Sequence, residues 1–154
     1  MSQSLDLCDL YQEAILEHGR HPRNRRAMAD CSHVGHGENT SCGDEVVVFL
    51  KTDDEGVIRD AAFDGQSCAI ATASASLMTE LLMGKTPAQA KYLFDQFQAQ
   101  ATGGEETPVD GMEHELERLT MLSGVRDYPV REKCATLAWH TMLAALENPK
   151  AKGA

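Results

Sequence analysis

The chain has 154 residues, enough for one domain with a real core that needs no disulfides. Its 14 basic against 24 acidic residues leave a formal charge of −10, which argues against a nucleic-acid partner. No run reaches the roughly 18 apolar residues of a membrane span, and Met1 to Asp9 lacks the basic start and unbroken apolar stretch of an export signal, so a reducing cytoplasmic setting is expected.

Leu5 to His18 reads as a helix, because Leu7, Leu10, Tyr11, Ala14 and Ile15 recur at helical spacing before Gly19 and Pro22. His18 to Arg26 holds four arginines and two histidines. It is either a solvated loop or a docking patch for an acidic partner surface. Met28 to Thr40 is polar and glycine-bearing, with room for a short edge strand around His33 to His36. Glu45 to Lys51 is rich in β-branched residues and reads as a strand. Asp53 to Gly56 is a turn, and Val57 to Phe63 is the returning strand of a hairpin.

From Cys68 the pattern turns helical, with Ile70, Ala73, Leu77 and Leu81 in one stripe. The many Ala, Ser and Thr residues there let neighbouring backbone come close, and Gly84 ends the helix. Thr86, Pro87 and Gln89 form a helix start, with Leu93, Phe94 and Phe97 as the apolar face that follows. Ala101 to Gly111 reads as a loop, Met112 to Ser123 as a short helix, and Pro129 to about Glu147 as the last helix. The expected fold is one α+β domain over 1–154: a small antiparallel sheet of about three strands packed against several helices, with its core over about 5–147 and a tail at 148–154.

The chemistry concentrates on three of the five cysteines. Cys42 and Asp44 are two apart just before a strand, so both side chains can point to one side of an extended segment. Cys68 sits at a helix start, where the dipole favours a thiolate. Cys134 shares a helix face with Leu137, Ala138 and Thr141. Three sulfurs and one oxygen would complete a tetrahedral metal site. No Cys-x-x-Cys pair exists, however, and spacing leaves open that Cys68 and Cys134 are buried small hydrophobes. Cys8 is read as packing and Cys31 as a loop thiol. His33, His36 and His140 are weaker candidate ligands, and Trp139 with Leu143 and Leu146 is read as core.

These motifs resemble the U-type iron–sulfur cluster assembly proteins, in particular the SufU-type branch of the IscU/NifU-like family. The resemblance covers about Leu10 to Leu146. It rests on Tyr11 to His18 leading into Pro22-Arg23-Asn24, on Cys42-Gly43-Asp44, on Gly65 to Glu80, and on Arg126 to Met142 with Pro129-Val130-Arg131 and Lys133-Cys134-Ala135. The IscU branch has a histidine before the third cysteine and a proline-rich stretch there. Here Lys133 and a lone Pro129 stand in those places, and 84–124 looks like the insertion of SufU-type chains.

The resemblance implies Zn²⁺ held by Cys42, Asp44, Cys68 and Cys134. It also implies persulfide sulfur received on Cys42 from a PLP-dependent, SufS-like cysteine desulfurase, with a downstream iron–sulfur scaffold or acceptor protein beyond. In that reading Cys42 must leave the metal to react. Lys133 would sit near the site and offset its negative charge, or else is simply solvated; Arg126 and Arg131, which match the family motif, would contact the partner or pair with Asp44, or else form surface salt bridges. Two alternatives stand beside it: a scaffold assembling a transient [2Fe–2S] cluster, or holding iron, on the same ligands, and an interaction module with structural zinc.

Overall fold

The computed structural model describes residues 16–39, 43–102, 111–120 and 129–147. Residues 16–20 are helical (α1). Three strands follow: β1 (His33–Asn39), β2 (Asp44–Thr52) and β3 (Ile58–Asp64). Four further helices lie among the described residues: α2 (Ala69–Leu82), α3 (Pro87–Thr102), α4 (Glu113–Leu119) and α5 (Pro129–Leu146). The strands form an antiparallel sheet in the order β1-β2-β3, so the fold is α+β, as expected.

Strand β2 shows why the sheet needs helices. Asp44, Val46, Val48 and Leu50 are buried, alternating with Glu45, Val47, Phe49 and Lys51, the two-residue period of a strand with one face on the core. Val46, Val48 and Leu50 join Ala61 and Phe63 of β3 in the main core, together with Leu77 and Met78 of α2, Phe97 of α3 and Trp139 of α5. On the other face Ala62 packs with Met28 and Cys31, covered by Val34 and Phe49. Cys31 is therefore a packing residue at 8% exposure rather than a loose loop thiol, although its backbone is irregular. The β2–β3 turn is held by Asp53, whose Oδ1 accepts from the Glu55 and Val57 backbone N–H groups at 2.9 and 3.0 Å.

Strand β1 runs to Asn39, three residues past the expected edge strand. Its glycines, poor strand formers in isolation, have a packing cause. A Cβ on Gly35 would lie 2.6 Å from the Thr141 carbonyl oxygen of α5, and one on Gly37 would collide with Thr141 Oγ1. Only glycine lets α5 lie this close across the strand.

The small polar residues of α2 do more than allow close approach. Ser74 Oγ donates to the Ala135 carbonyl of α5 and accepts from Trp139 Nε1 at 3.0 Å. Trp139 is fully buried and stacks on Phe97 with ring centroids 4.9 Å apart. Helix α3 starts with a reciprocal cap: Gln89 N–H donates to Thr86 Oγ1 at 3.2 Å, and Thr86 N–H to Gln89 Oε1 at 2.9 Å. Helix α4 is described over Glu113–Leu119 and buries Leu116 and Leu119. The expected loop at 101–111 and the last residues of the expected α4 lie mostly outside the described residues, as do Cys8 and the tail.

The arginine-bearing segment is neither a free loop nor a bare cationic patch. Its backbone bridges to β3, with Arg26 N–H donating to the Phe63 carbonyl at 2.9 Å and Phe63 N–H to the Asn24 carbonyl at 3.0 Å. Arg26 also forks onto Asp60 with two contacts of 2.8 Å, and Arg23 reaches Glu17 at 3.4 Å. His18, 7% exposed, sits against α2 with Nδ1 2.7 Å from Ser76 Oγ. Ser76 Oγ also accepts from the Arg23 backbone N–H at 2.8 Å.

Burial first, then the Arg23 cation, holds the His18 pKa below its ordinary value. The unfolded chain thus takes up a proton at higher pH than the folded chain does. The stability associated with neutral His18 is full above the unfolded value of about 6.5 and is lost as pH falls from there toward the lowered folded value. Urea midpoints are expected to drop between about pH 7.5 and 5.5, and His18→Asn should flatten that dependence. An unaltered pH slope in the variant would remove His18 as its source.

Candidate metal centre

The site forms where three elements meet. Asp44 opens β2 directly after Gly43, whose φ of +72° lies in the left-handed region that glycine adopts without cost. Gly65, after β3, has a φ of +122°, and a Cβ there would strike the Glu45 carbonyl oxygen. Glu45 N–H donates to the Gln66 carbonyl at 2.7 Å. The chain leaving β3 therefore runs directly against the start of β2, which delivers Cys68 beside Asp44.

Cys68 is the N-cap of α2, with extended backbone (φ −68°, ψ 169°), and its Sγ accepts from Ala71 N–H at 3.5 Å. Its own N–H donates to Asp44 Oδ1 at 2.9 Å, and its Sγ lies 3.9 Å from Asp44 Oδ2. Cys134 comes from the second turn of α5 and is fully buried. Asn39 Nδ2, at the end of β1, donates to Cys134 Sγ across a long contact of 4.0 Å.

Asp44, Cys68 and Cys134 each present one ligand atom, and the three atoms lie within 4.8 Å of one another. Tetrahedral zinc with sulfur at about 2.3 Å sets ligand–ligand separations of about 3.8 Å. The Cys68–Asp44 pair already matches that separation, and the remaining pairs need only a small closure. Asp44 is 2% exposed, and one of its oxygens is satisfied by the Cys68 N–H while the other faces sulfur. A buried carboxylate next to two thiols is costly alone and is suited to a cation. The donor set and its spacing thus fit a thiophilic divalent metal.

The other sequence candidates fall as follows. Cys42 and Arg126 lie outside the described residues, and Arg131 lies in α5 with its side chain outside them. Lys133 is exposed beside Cys134. His33 pairs with Ser32 Oγ at 2.9 Å, and His140 packs edge-on against Phe94. Among the described residues neither they nor His36 join the three-ligand group. Two residues of the site escaped the sequence reading. Gly65 stood only as the first residue of the Gly65–Glu80 motif with no role of its own, and Asn39 carried no signal at all.

Comparison with known proteins follows the same lines. The family described as NifU-like N terminal domain matches residues 10–153. The zinc-dependent sulfurtransferase SufU of Bacillus subtilis is 36% identical over 153 residues, covering 99% of this chain and 97% of that protein. The iron–sulfur cluster assembly scaffold protein IscU of Thermotoga maritima is 36% identical over 139 residues, covering 90% of this chain and 94% of that protein. The crystal structure of FiSufU from Fervidobacterium islandicum superposes with a TM-score of 0.79 at 31% identity, covering 87% of this chain and 94% of that one.

Proposed function

The chain belongs to the family of NifU-like N-terminal domains, the IscU and SufU proteins, and from that premise we propose that it is a zinc-dependent sulfur-transfer protein of iron–sulfur cluster assembly. It works in the cytoplasm as one domain, taking persulfide sulfur from a PLP-dependent, SufS-like cysteine desulfurase and passing it to a downstream scaffold or acceptor. The observation that carries this reading is the convergence of Asp44, Cys68 and Cys134 on one point, with Cys42 two residues before Asp44. Equal identity to a sulfurtransferase and to a scaffold leaves the choice to the chain's own residues. Lys133, where a scaffold of the IscU branch would carry histidine, supports sulfur transfer.

Zinc at Cys42, Asp44, Cys68 and Cys134 would keep the thiols ionised at neutral pH and protected from oxidation. The chain's residues divide the remaining work. Asp44 ties the start of β2 to the cap of α2, so Cys68 is held at its N–H by the Asp44 carboxylate and at its Sγ by the Ala71 N–H. Cys134 is held in the core by α5. Cys42 is the sulfur acceptor. Its thiolate attacks the outer sulfur of the desulfurase persulfide, and a sulfur–sulfur bond forms on Cys42 as the partner's breaks. The electron pair leaves on the partner's cysteine, with no net oxidation. Arg126, Arg131 and Lys133 would supply positive charge toward the partner in an otherwise acidic chain.

Metal analysis of protein purified without oxygen, combined with a desulfurase assay, tests the reading. The expected result is about one zinc per chain, no acid-labile sulfide, and faster desulfurase turnover. Iron with labile sulfide would instead make the chain a scaffold for a [2Fe–2S] cluster, the reading that the Thermotoga relative's name favours. Zinc without desulfurase stimulation would make it a structural module.

A further inference from the structure

Asn39 and Asp44 are cross-strand partners, the last register pair of the β1–β2 hairpin. The four residues between them include Cys42. Each member of the pair reaches away from the hairpin to a cysteine on a different helix. Asp44 engages Cys68 at the start of α2 through the contacts of 2.9 and 3.9 Å, and Asn39 donates to Cys134 Sγ of α5. The loop end of the hairpin is thereby pinned on both sides.

The approach of α5 that makes the second pin possible is the one Gly35 and Gly37 permit. Asn39 lies 95 residues from Cys134 in sequence, so this contact is a product of the fold rather than of local chain geometry. An amide N–H directed at a thiolate neutralises part of its charge and fixes the direction in which its remaining lone pairs point.

We propose that Asn39 is a positioning residue: its amide holds the Cys134 sulfur in place and makes Cys134 a retained ligand. The proposal deepens the zinc-dependent reading above and rests on it for the identity of the metal. The contact itself stands without metal. Asp44 and Asn39 play matched parts at the loop end of the hairpin. One secures the sulfur on α2 by accepting from the helix cap, the other the sulfur on α5 by donating to it.

Three measurements on the full chain decide it. In the metal-free protein, a double-mutant cycle of Asn39→Ala and Cys134→Ala should be non-additive in urea unfolding. An additive cycle overturns the contact whether or not zinc binds. In the zinc-loaded protein, Asn39→Ala and the near-isosteric Asn39→Asp should both release zinc to a competing chelator at about 10–100-fold lower chelator strength. In Co²⁺-substituted protein, loss of the donor should move the sulfur-to-cobalt charge-transfer band to lower energy, a change that simple loosening of the fold does not produce. Unchanged zinc release and an unmoved band, with a non-additive cycle, would overturn the positioning role. A wild-type chain that holds no zinc would instead sink the sulfur-transfer reading, and the metal-free cycle would still decide the Asn39 contact.

Discussion

Cys42→Ala is expected to abolish sulfur acceptance while leaving the fold intact. Of the four proposed ligands, Asp44 and Cys68 are joined to each other and Cys134 is fully buried. Removing Cys134 or Asp44 therefore damages packing or the start of α2 as well as the ligand set. Cys42 lies between β1 and β2 in sequence, and its removal takes away the proposed nucleophile without taking away either pin at the loop end of the hairpin. With a desulfurase and isotopically labelled cysteine, the wild-type chain should carry label on one thiol, and the variant should fall to the level of a protein lacking cysteines. Circular dichroism should be the same for both. Label on the variant at wild-type amounts would show that another thiol accepts.

Among the described glycines, Gly65→Ala should be the most damaging substitution. The position needs a φ of +122°, a region that costs a side-chain-bearing residue about 1–3 kcal/mol. The added carbon would also meet backbone rather than a side chain that can swing aside: besides the Glu45 carbonyl oxygen, the Glu45 carbonyl carbon at 3.0 Å and Val46 Cα at 3.1 Å. Relief requires the Gln66–Glu45 hydrogen bond to open, which moves Cys68 away from Asp44. A loss of about 3 kcal/mol is expected, or about 6–12 °C in Tm for a chain of this size, together with weaker metal retention. Coincident melting curves for wild type and variant would sink the argument.

Much of this was legible in the sequence wherever the cause was local. The β-branched run of β2, the Asp53 turn, the cap at Thr86 and the helix start at Cys68 all follow from residues within a few positions of one another. Features caused by distant packing were not legible. Strand β1 looked short because glycine weakens a strand, yet its glycines are what α5 requires. Cys31 looked like a loop thiol because nothing nearby in sequence announces Ala62 beneath it. His18 belonged to a stretch that reads as charged, and only the fold brings Ser76 to its ring.

The candidate site divides the same way. Cys68 carried its helix start in its own neighbourhood. The meeting of Cys134 with Asp44, by contrast, depends on α5 crossing β1, for which no local pattern exists. The motif resemblance implies that pairing, and the fold brings the ligand atoms within 4.8 Å of one another.

The single tryptophan has a practical consequence. Trp139 lies five positions after Cys134 on the same helix, sealed from solvent, stacked on Phe97 and hydrogen-bonded to Ser74. Its indole touches α2 and α3 while being carried by α5, so it reports on the docking of all three. The chain therefore contains its own optical gauge: emission excited where tyrosine does not absorb comes from one indole, and a rearrangement of α5 that accompanies metal loading or partner engagement can be followed in unlabelled protein.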